Sequence, residues 1–181
     1  MRAKLICAGF NNLLLVSIEV VTAEAEVSER LAMTQEVHRH HPAAEREYRC
    51  EQIVVRWYPE LCIHVANCLR QLPGVFGARA RPWVDVNGAS ADDIAATITG
   101  CPSGALQFER LDGGPQEKGN APTRVHIEPD GPYHLRGDLL LEDPALGDVV
   151  STRATLCRCG ASENKPYCDM SHKVIRFKTS S

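Results

Sequence analysis

The hydrophobic and β-branched positions of this 181-residue chain fall into two groups, and the first group predicts a small α+β unit. Residues 53–58 read Ile-Val-Val-Arg-Trp-Tyr, which is typical of a strand, and residues 81–86 and 106–108 are further strand candidates. Ser90 has the position of a helix N-cap, and apolar residues at helical spacing after it predict a helix that ends at Gly100. The first group therefore predicts one helix packed among short strands.

The second group begins near residue 122 and predicts a β-rich unit. Residues 124–128 alternate between polar and apolar side chains, and residues 133–141 form a longer strand candidate. Gly137 interrupts that longer strand and is interpreted as a bulge. Residues 152–156 are a further β-branched stretch that leads directly into a cluster of cysteines.

These patterns divide the chain into four segments. Residues 1–47 are interpreted as a poorly ordered extension, residues 48–110 as the α+β domain, and residues 122–181 as the β-rich domain. Residues 111–121 are rich in glycine and lack periodicity, which favours a linker of about 17–19 Å that permits the domains to touch without requiring it. The predicted fold class is α+β, with a small α+β domain followed by a β-rich domain.

The distribution of charged and polar residues argues against two classes of partner. The net charge is −3 and both signs are mixed along the chain, so no nucleic-acid-binding face is predicted. The apolar run at residues 5–21 contains Asn11, Asn12 and Glu19, so no membrane span is predicted. A non-targeting extension is favoured there over a weak export or membrane signal. The histidines within residues 38–41 are interpreted as part of a polar linker rather than a loose metal site.

Three cysteines and one histidine near the C-terminal end form a compact set of metal donors. The segment reads C-x-C-x8-C-x3-H, and its donors are Cys157, Cys159, Cys168 and His172. The first two cysteines are too close to pair comfortably in a disulfide, and in a reducing cytosol such a set is typical of a metal site. Thiolates suit zinc and iron–sulfur chemistry alike, so spacing alone leaves both open, with zinc slightly favoured. Asp169 and Ser171 are natural cap residues, which predicts that a helix starts beside the donors.

This segment resembles the CDGSH iron–sulfur family, whose pattern is C-x-C-x2-[S/T]-x3-P-x-C-D-G-[S/A/T]-H. Eight positions agree in order: Cys157, Cys159, Ser162, Pro166, Cys168, Asp169, Ser171 and His172. Met170 stands where the family has glycine, which would strain the backbone if that position needs a special angle. The resemblance covers about residues 121–178 and implies a [2Fe-2S] cluster held by the three cysteines and an exposed, protonatable His172. A zinc site with the same four ligands is the alternative.

A second set of cysteines lies in the first predicted domain. Bacterial ferredoxins use C-x2-C-x2-C followed by a remote Cys-Pro pair. Here Cys62 and Cys68 occupy the first and third positions, and Val65 stands in the middle one. The remote pair is present as Cys101-Pro102. Three of the four expected thiolates are therefore present.

This stretch resembles the divergent single-cluster ferredoxin family, in which C-x-H-x3-C is followed by C-P-S-G-A-L. The match covers about residues 48–109, includes an Arg-Pro-Trp block at residues 81–83, and implies a ferredoxin-like α+β domain. The implied thiolate ligands are Cys62, Cys68 and Cys101. Three thiolates suit a [3Fe-4S] cluster, whereas [4Fe-4S] needs a fourth ligand, for which His64 is the nearest candidate. A surface role for His64, and buried free thiols without a cluster, are the alternatives.

Two implied clusters favour electron transfer, so the expected partner is a redox protein and the expected compartment is the cytoplasm. No Ser-His-Asp order, P-loop or dinucleotide fingerprint is present, so an enzyme is not predicted. Cluster sensing or transfer and a zinc-stapled structural module are the alternatives. Members of the CDGSH family pair two such segments, either by dimerising or by tandem duplication. This chain has one segment, so the resemblance implies a homodimer through the CDGSH domain. Cys50 is interpreted as a strand residue, and Cys7 is unassigned.

Overall fold

The computed structural model describes residues 46–142 and 149–179, which contain two three-stranded antiparallel sheets and three short helices. The elements are β1 (Arg46–Arg49), β2 (Ile53–Trp57), α1 (Asn67–Gln71), α2 (Ala91–Thr99), β3 (Leu106–Arg110), β4 (Arg124–Ile127), β5 (Tyr133–Leu141), β6 (Val149–Leu156) and α3 (Ser171–Val174). This arrangement confirms the predicted α+β class. Predictions for residues 1–45, including the broken apolar run, the histidines and Cys7, lie outside the described residues. Among the described residues, no helix has the length and apolar content that crossing a bilayer requires.

The first sheet has the order β1-β2-β3 and packs against helix α2. Strand β2 is central, and its Ile53 and Val55 are fully buried. Helix α2 begins where the sequence predicts, because the Ser90 hydroxyl accepts a hydrogen bond from the backbone N–H of Asp93. Its Ile94 is also fully buried against the sheet. The predicted strand–helix–strand core is therefore confirmed.

The strand predicted at residues 81–86 does not form. Only Val84 makes a β-bridge there, with Phe76. Pro82 has no backbone N–H to donate to a ladder, so the segment pairs through single contacts on either side of Val84. The side chains are nevertheless buried: Val84 lies in the core, and Trp83 packs against Trp57 with ring centroids 4.6 Å apart. The β-branched and aromatic residues of this segment therefore indicate buried side chains rather than a paired strand.

The second sheet has the order β4-β5-β6. Its register shifts between Arg136 and Leu139, which confirms the bulge predicted at Gly137. Strand β6 begins at Val149, earlier than the predicted start at residue 152. This strand ends one residue before Cys157 and therefore sets where the C-terminal cysteines begin.

The glycine-rich segment between the sheets is held by side chains. Gln116 exchanges two hydrogen bonds with the backbone of Arg110, and the Arg110 guanidinium pairs with Asp112 at 2.7 Å. Glu117 pairs with Arg153 of β6, also at 2.7 Å. Arg153 also donates to the backbone carbonyl of Leu106 in β3, so the two sheets contact each other. The glycine content of this segment predicts a flexible linker, whereas hydrogen bonds and ion pairs of its polar side chains hold its backbone in place.

Candidate metal centres

Three thiols of the first half meet around one cavity. Cys62 follows a single 3-10 turn, Cys68 lies in α1, and Cys101 follows the end of α2. All three line this cavity, together with Trp57 and Trp83. The sequence places Cys101 more than thirty residues from Cys68, and the packing of α2 against α1 brings the two together. The structure therefore assembles the three predicted thiolates at one place.

Burial makes Cys62 and Cys68 unfavourable as bare thiolates, because it raises the pKa of each thiol. Burial raises the pKa of Cys62, although the backbone N–H of His64 opposes the shift by donating to the sulfur. Burial also raises the pKa of Cys68, and the neighbouring Cys101 adds to the effect. A bound cation offsets this cost because it stabilises the deprotonated form of each ligand. The site therefore suits a positively charged metal group more than free thiolates.

His64 lines the same cavity but is exposed. Its backbone has a positive φ of 56°, and its Nδ1 atom lies 2.8 Å from the carbonyl oxygen of Cys62. That contact occupies one ring nitrogen and leaves Nε2 as the nitrogen for a ligand. All four predicted N-terminal site residues are thus close together, with the histidine at the rim.

Two tryptophans beside this cavity have unsatisfied donors. The indole Nε1 atoms of Trp57 and Trp83 are buried and have no hydrogen-bond partner among the described residues. Both side chains line the cavity that holds the three thiols. A buried indole N–H normally finds a partner, and the sulfur atoms of a cluster accept such hydrogen bonds. The two orphaned donors therefore fit an iron–sulfur group in this cavity.

The four C-terminal donors lie in two close pairs. The Sγ atoms of Cys157 and Cys159 are 3.8 Å apart, and Cys168 Sγ is 3.5 Å from Nδ1 of His172. A tetrahedral metal with bonds of about 2.3 Å to sulfur separates two thiolates by about 3.8 Å. Each pair can therefore share one metal ion. Within the described residues, no three His, Cys, Asp or Glu side chains are arranged around a single ion.

Backbone pairing around β6 holds both ends of the C-terminal loop. The backbone N–H of Cys157 donates to Pro166, and that of Cys168 donates to Thr155, both at 2.9 Å. A β-bridge joins Leu156 to Tyr167 between these bonds. The loop that contains the two pairs is therefore closed by the extension of a strand.

The two cysteines at the ends of this loop have opposite pKa shifts. Burial raises the pKa of Cys157, but backbone N–H groups of Ser162 and Gly160 donate to it and the net shift is downward. Burial dominates at Cys168 and raises its pKa, although the N–H of Met170 opposes this from 3.4 Å. The backbone N–H donors around Cys157 therefore favour its thiolate form.

The residue that replaces the family glycine adopts the left-handed conformation. Met170 has φ 72° and ψ 7°, so the strain expected from the sequence is present. Helix α3 starts immediately after it, at the predicted place. The Ser171 side chain lowers the pKa of Asp169 to about 2, and the backbone N–H groups of Glu163 and Ser171, which donate to this carboxylate, add to the shift.

His172 corrects one implication of the CDGSH resemblance. The resemblance implies an exposed histidine, whereas His172 is only 6% exposed in the structure. The chain folds back after α3, where the N–H of Phe177 donates to the carbonyl of His172 at 2.9 Å. His172 is therefore buried, and the segment after α3 folds back onto its backbone.

None of the seven cysteines among the described residues forms a disulfide. Six of the seven belong to the two thiol sets, and the seventh is Cys50, which packs against the first core as a partly buried thiol. Its Sγ atom lies 3.8 Å from the carbonyl of Ile53. The cysteines of both sites are thus available as thiolate ligands.

Comparison with known proteins agrees with these two donor sets. The family model described as divergent 4Fe-4S mono-cluster matches residues 48–111. The uncharacterized protein YjdI of Escherichia coli (strain K12) is 33% identical over 64 residues, which is 34% of this chain and 84% of the relative. YjdI of Escherichia coli O157:H7 matches to the same extent. The chain belongs to the divergent 4Fe-4S mono-cluster family.

This mono-cluster protein carries a further domain. The family model described as iron-binding zinc finger CDGSH type matches residues 130–173, after the mono-cluster match. Both resemblances recognised in the sequence are confirmed in their predicted order. The chain is therefore an iron–sulfur protein with a mono-cluster domain followed by an iron-binding CDGSH domain.

Sequence reasoning missed the residues that hold these donors in place. The indole donor of Trp57 had no signal beyond an aromatic residue in a strand. Arg153 and Thr155 appeared as ordinary residues of a β-branched stretch, although both contact the loop of Cys101. An arginine at a position that strand alternation makes inward-facing is the one local sign that was available.

Proposed function

We propose that this protein is an electron carrier with a [2Fe-2S] cluster and a [4Fe-4S] cluster. The first cluster is held by Cys157, Cys159, Cys168 and His172. The second is held by Cys62, Cys68, Cys101 and His64. The observation that carries the proposal is the presence of two sulfur-rich donor sets in one compact unit.

The paired arrangement of the C-terminal donors supports a two-iron cluster. Each iron of such a cluster takes two protein ligands, and the donors lie as one Cys–Cys pair and one Cys–His pair. A structural zinc site instead gathers all four donors around one ion. The two-and-two arrangement of the donors therefore favours the diiron assignment over zinc.

The N-terminal cluster is proposed as [4Fe-4S] because the matching family model describes a 4Fe-4S mono-cluster. Three thiolates alone would suit [3Fe-4S], so the fourth iron depends on His64. Its free Nε2 and its place at the cavity rim support this role. A ferredoxin-like arrangement of residues 48–110 belongs to the same proposal.

When bound, the two clusters supply reversible one-electron oxidation and reduction. The protein itself holds the irons, excludes water from the sulfur atoms and donates hydrogen bonds to them. We propose that a one-electron donor protein reduces it and that a second protein accepts the electron, without chemistry on a substrate. A reducing, cytoplasmic environment would keep the seven described thiols free of disulfides.

A homodimer through the CDGSH domain is also proposed. Strand β4 is the edge of its sheet and exposes Val125 and Ile127, which are 58% and 55% accessible. Apolar side chains on an edge strand favour association with another chain. Sedimentation or scattering checks this, since a solution mass equal to a single chain would exclude it.

The deciding experiment is an anaerobic visible spectrum with iron and sulfide analysis of the wild type and of His172→Cys. We expect charge-transfer bands that shift in the variant, and about six irons per chain for one two-iron and one four-iron cluster. The variant His64→Ala should lose the fourth iron of the N-terminal cluster and retain three there. Five irons in the wild type would instead assign [3Fe-4S] and remove His64 from the ligand set.

Two other results would replace the proposed function. A colourless protein with stoichiometric zinc after anaerobic preparation would show a structural module. Rapid and complete cluster delivery to an apo acceptor protein, faster than any reversible redox cycle, would favour cluster transfer.

A further inference from the structure

The loop that carries Cys101 rests on strand β6 of the CDGSH domain. The Nη1 atom of Arg153 donates to the carbonyls of Ile98 and Cys101, both at 2.6 Å, and Nη2 donates to Leu106 at 2.9 Å. Arg153 is 2% exposed, and its charge is paired with Glu117. The buried guanidinium of Arg153 thus holds the backbone of Cys101, a proposed ligand of the N-terminal centre. Arg153 itself lies on β6, the strand that leads to the C-terminal centre.

The backbones of the loop and the strand also approach each other closely. Gly104 has φ 73°, and a Cβ atom at this position would lie 2.5 Å from the carbonyl oxygen of Arg153. Only glycine fits such a contact without displacement of one backbone. The Cys101 loop therefore has a defined seat on β6 rather than a loose contact.

Thr155 holds the ligand loops of both centres. It lies two residues after Arg153, so both side chains point to the same face of the strand. The Thr155 hydroxyl donates to the carbonyl of Pro102 at 3.2 Å, and its backbone carbonyl accepts the N–H of Cys168 at 2.9 Å. One residue thus touches the peptide that follows Cys101 and the ligand Cys168 itself.

We propose that Arg153 and Thr155 are positioning residues shared by the two centres, and that a filled site at either end strengthens iron retention at the other. A bound cluster orders its ligand loop, and the ordered loop fixes the register of β6 against the second loop. The cluster that binds later then meets ligands that are already ordered, so its binding loses less conformational entropy. This inference rests on the proposed function, because it requires clusters at both sites.

The test removes one centre and measures the other in the full chain, loaded anaerobically with iron and sulfide. Cys159→Ala removes a donor of the C-terminal site, and the close sulfur contact of Cys159 is with Cys157 rather than with β6. Low-temperature electron paramagnetic resonance of dithionite-reduced samples then follows the N-terminal centre during incubation with excess ferrous chelator. We expect this centre to be lost about five-fold faster or more than in the wild type. The reciprocal variant Cys62→Ala should speed loss of the C-terminal centre.

A matched pair of variants separates coupling from general stability. Thr155→Val keeps the shape of the side chain and the backbone bond to Cys168, but loses the hydroxyl that contacts Pro102 and His134. Thr155→Ser keeps the hydroxyl. In the valine background, Cys159→Ala should no longer change the retention of the N-terminal centre, whereas the serine background should preserve the effect. A purely structural role would speed loss of both centres and leave the effect of Cys159→Ala unchanged.

The outcomes distinguish this inference from the proposed function. Equal rates of loss from the N-terminal centre in the wild type and Cys159→Ala would overturn the coupling and leave two independent clusters. A preserved effect in the Thr155→Val background would overturn the assignment to Thr155. A chain without iron and sulfide at either site would overturn the proposed function and the coupling together.

Discussion

The two centres differ in how their donors are brought together. All four C-terminal donors lie within residues 157–172, and a single strand extension closes their loop. The N-terminal donors come from residues 62–68 and from Cys101, and the last of these is seated by β6 of the other domain. The C-terminal site is therefore assembled locally, whereas the N-terminal site needs tertiary contacts for completion. Substitutions that disturb these tertiary contacts should affect the N-terminal centre more than the C-terminal centre.

The largest effect is expected at Arg153. Arg153→Met leaves Glu117 and three backbone carbonyls without their buried donor, so we expect a loss of about 3–5 kcal/mol in the free energy of unfolding. Urea denaturation followed by circular dichroism measures this. The control is Arg56→Met, which breaks a more exposed pair with Glu109 at 2.8 Å and should cost at most about 1 kcal/mol. Equal losses for the two arginines would contradict the role of the β6 contact.

The next effect compares one glycine from each site. Gly104 and Gly160 have similar positive φ angles, 73° and 79°, but only Gly104 approaches another backbone closely. Gly160→Ala should cost about 1 kcal/mol for the left-handed conformation alone. Gly104→Ala should cost at least about 1 kcal/mol more, because its Cβ meets the carbonyl of Arg153. Thermal unfolding measures both, and identical melting temperatures would show that the close approach of Gly104 to Arg153 has no cost for a side chain.

A smaller effect of opposite sign is expected at Met170. Met170→Gly relieves a left-handed side-chain residue, so the free energy of unfolding should rise by about 0.5–1 kcal/mol. The matched control is Lys173→Gly, an exposed position inside α3, which should lower it by a similar amount. If both glycines destabilise the protein, the backbone strain at Met170 has no measurable cost.

An effect on potential rather than stability is expected at Trp83. Its N–H has no hydrogen-bond partner among the described residues, and donation to a cluster would stabilise the more negative reduced state. Trp83→Phe should lower the midpoint potential of the N-terminal centre by about 20–60 mV, the equivalent of one hydrogen bond. Redox titration measures the shift. Tyr48→Phe is the control, because Tyr48 packs against Trp83 without lining the cavity and should leave the potential unchanged.

The smallest effect is a pH dependence from exposed carboxylates in each half. Hydrogen bonds from Arg110 lower the pKa of Asp112 to about 2, and hydrogen bonds from Lys178 do the same for Asp130. A folded pKa below the unfolded value of about 3.9 means that the contribution is complete above pH 4 and is lost as the pH falls towards 2. Urea midpoints across this range should fall less steeply for Asp130→Asn than for wild type. Cluster loss in acid affects both proteins, so parallel curves would contradict the contribution of Asp130.

Patterns confined to a short stretch of sequence were predicted well. The capped helix α2, the bulge at Gly137, the helix start at Ser171 and the strained position of Met170 all follow from residues within a few positions of each other. The strand predicted at residues 81–86 was wrong, because Pro82 and the surrounding single contacts prevent a ladder while the side chains are still buried. Local pattern specifies backbone angles and burial better than it specifies which strands pair.

The sequence alone determined the donor chemistry, the order of the two cluster domains and the family. These depend on residue types at fixed spacing, because thiolate and imidazole groups are the atoms that bind the metal. Only the tertiary structure decided that Arg153 and Thr155 hold the Cys101 loop, that Glu117 pairs with Arg153, and that His172 is buried. Each of these depends on hydrogen bonds or burial between segments that are distant in the sequence. No hydrophobic periodicity predicts that such segments meet. The physical reason is that a buried guanidinium and backbone carbonyls satisfy one another only after the two sheets have packed.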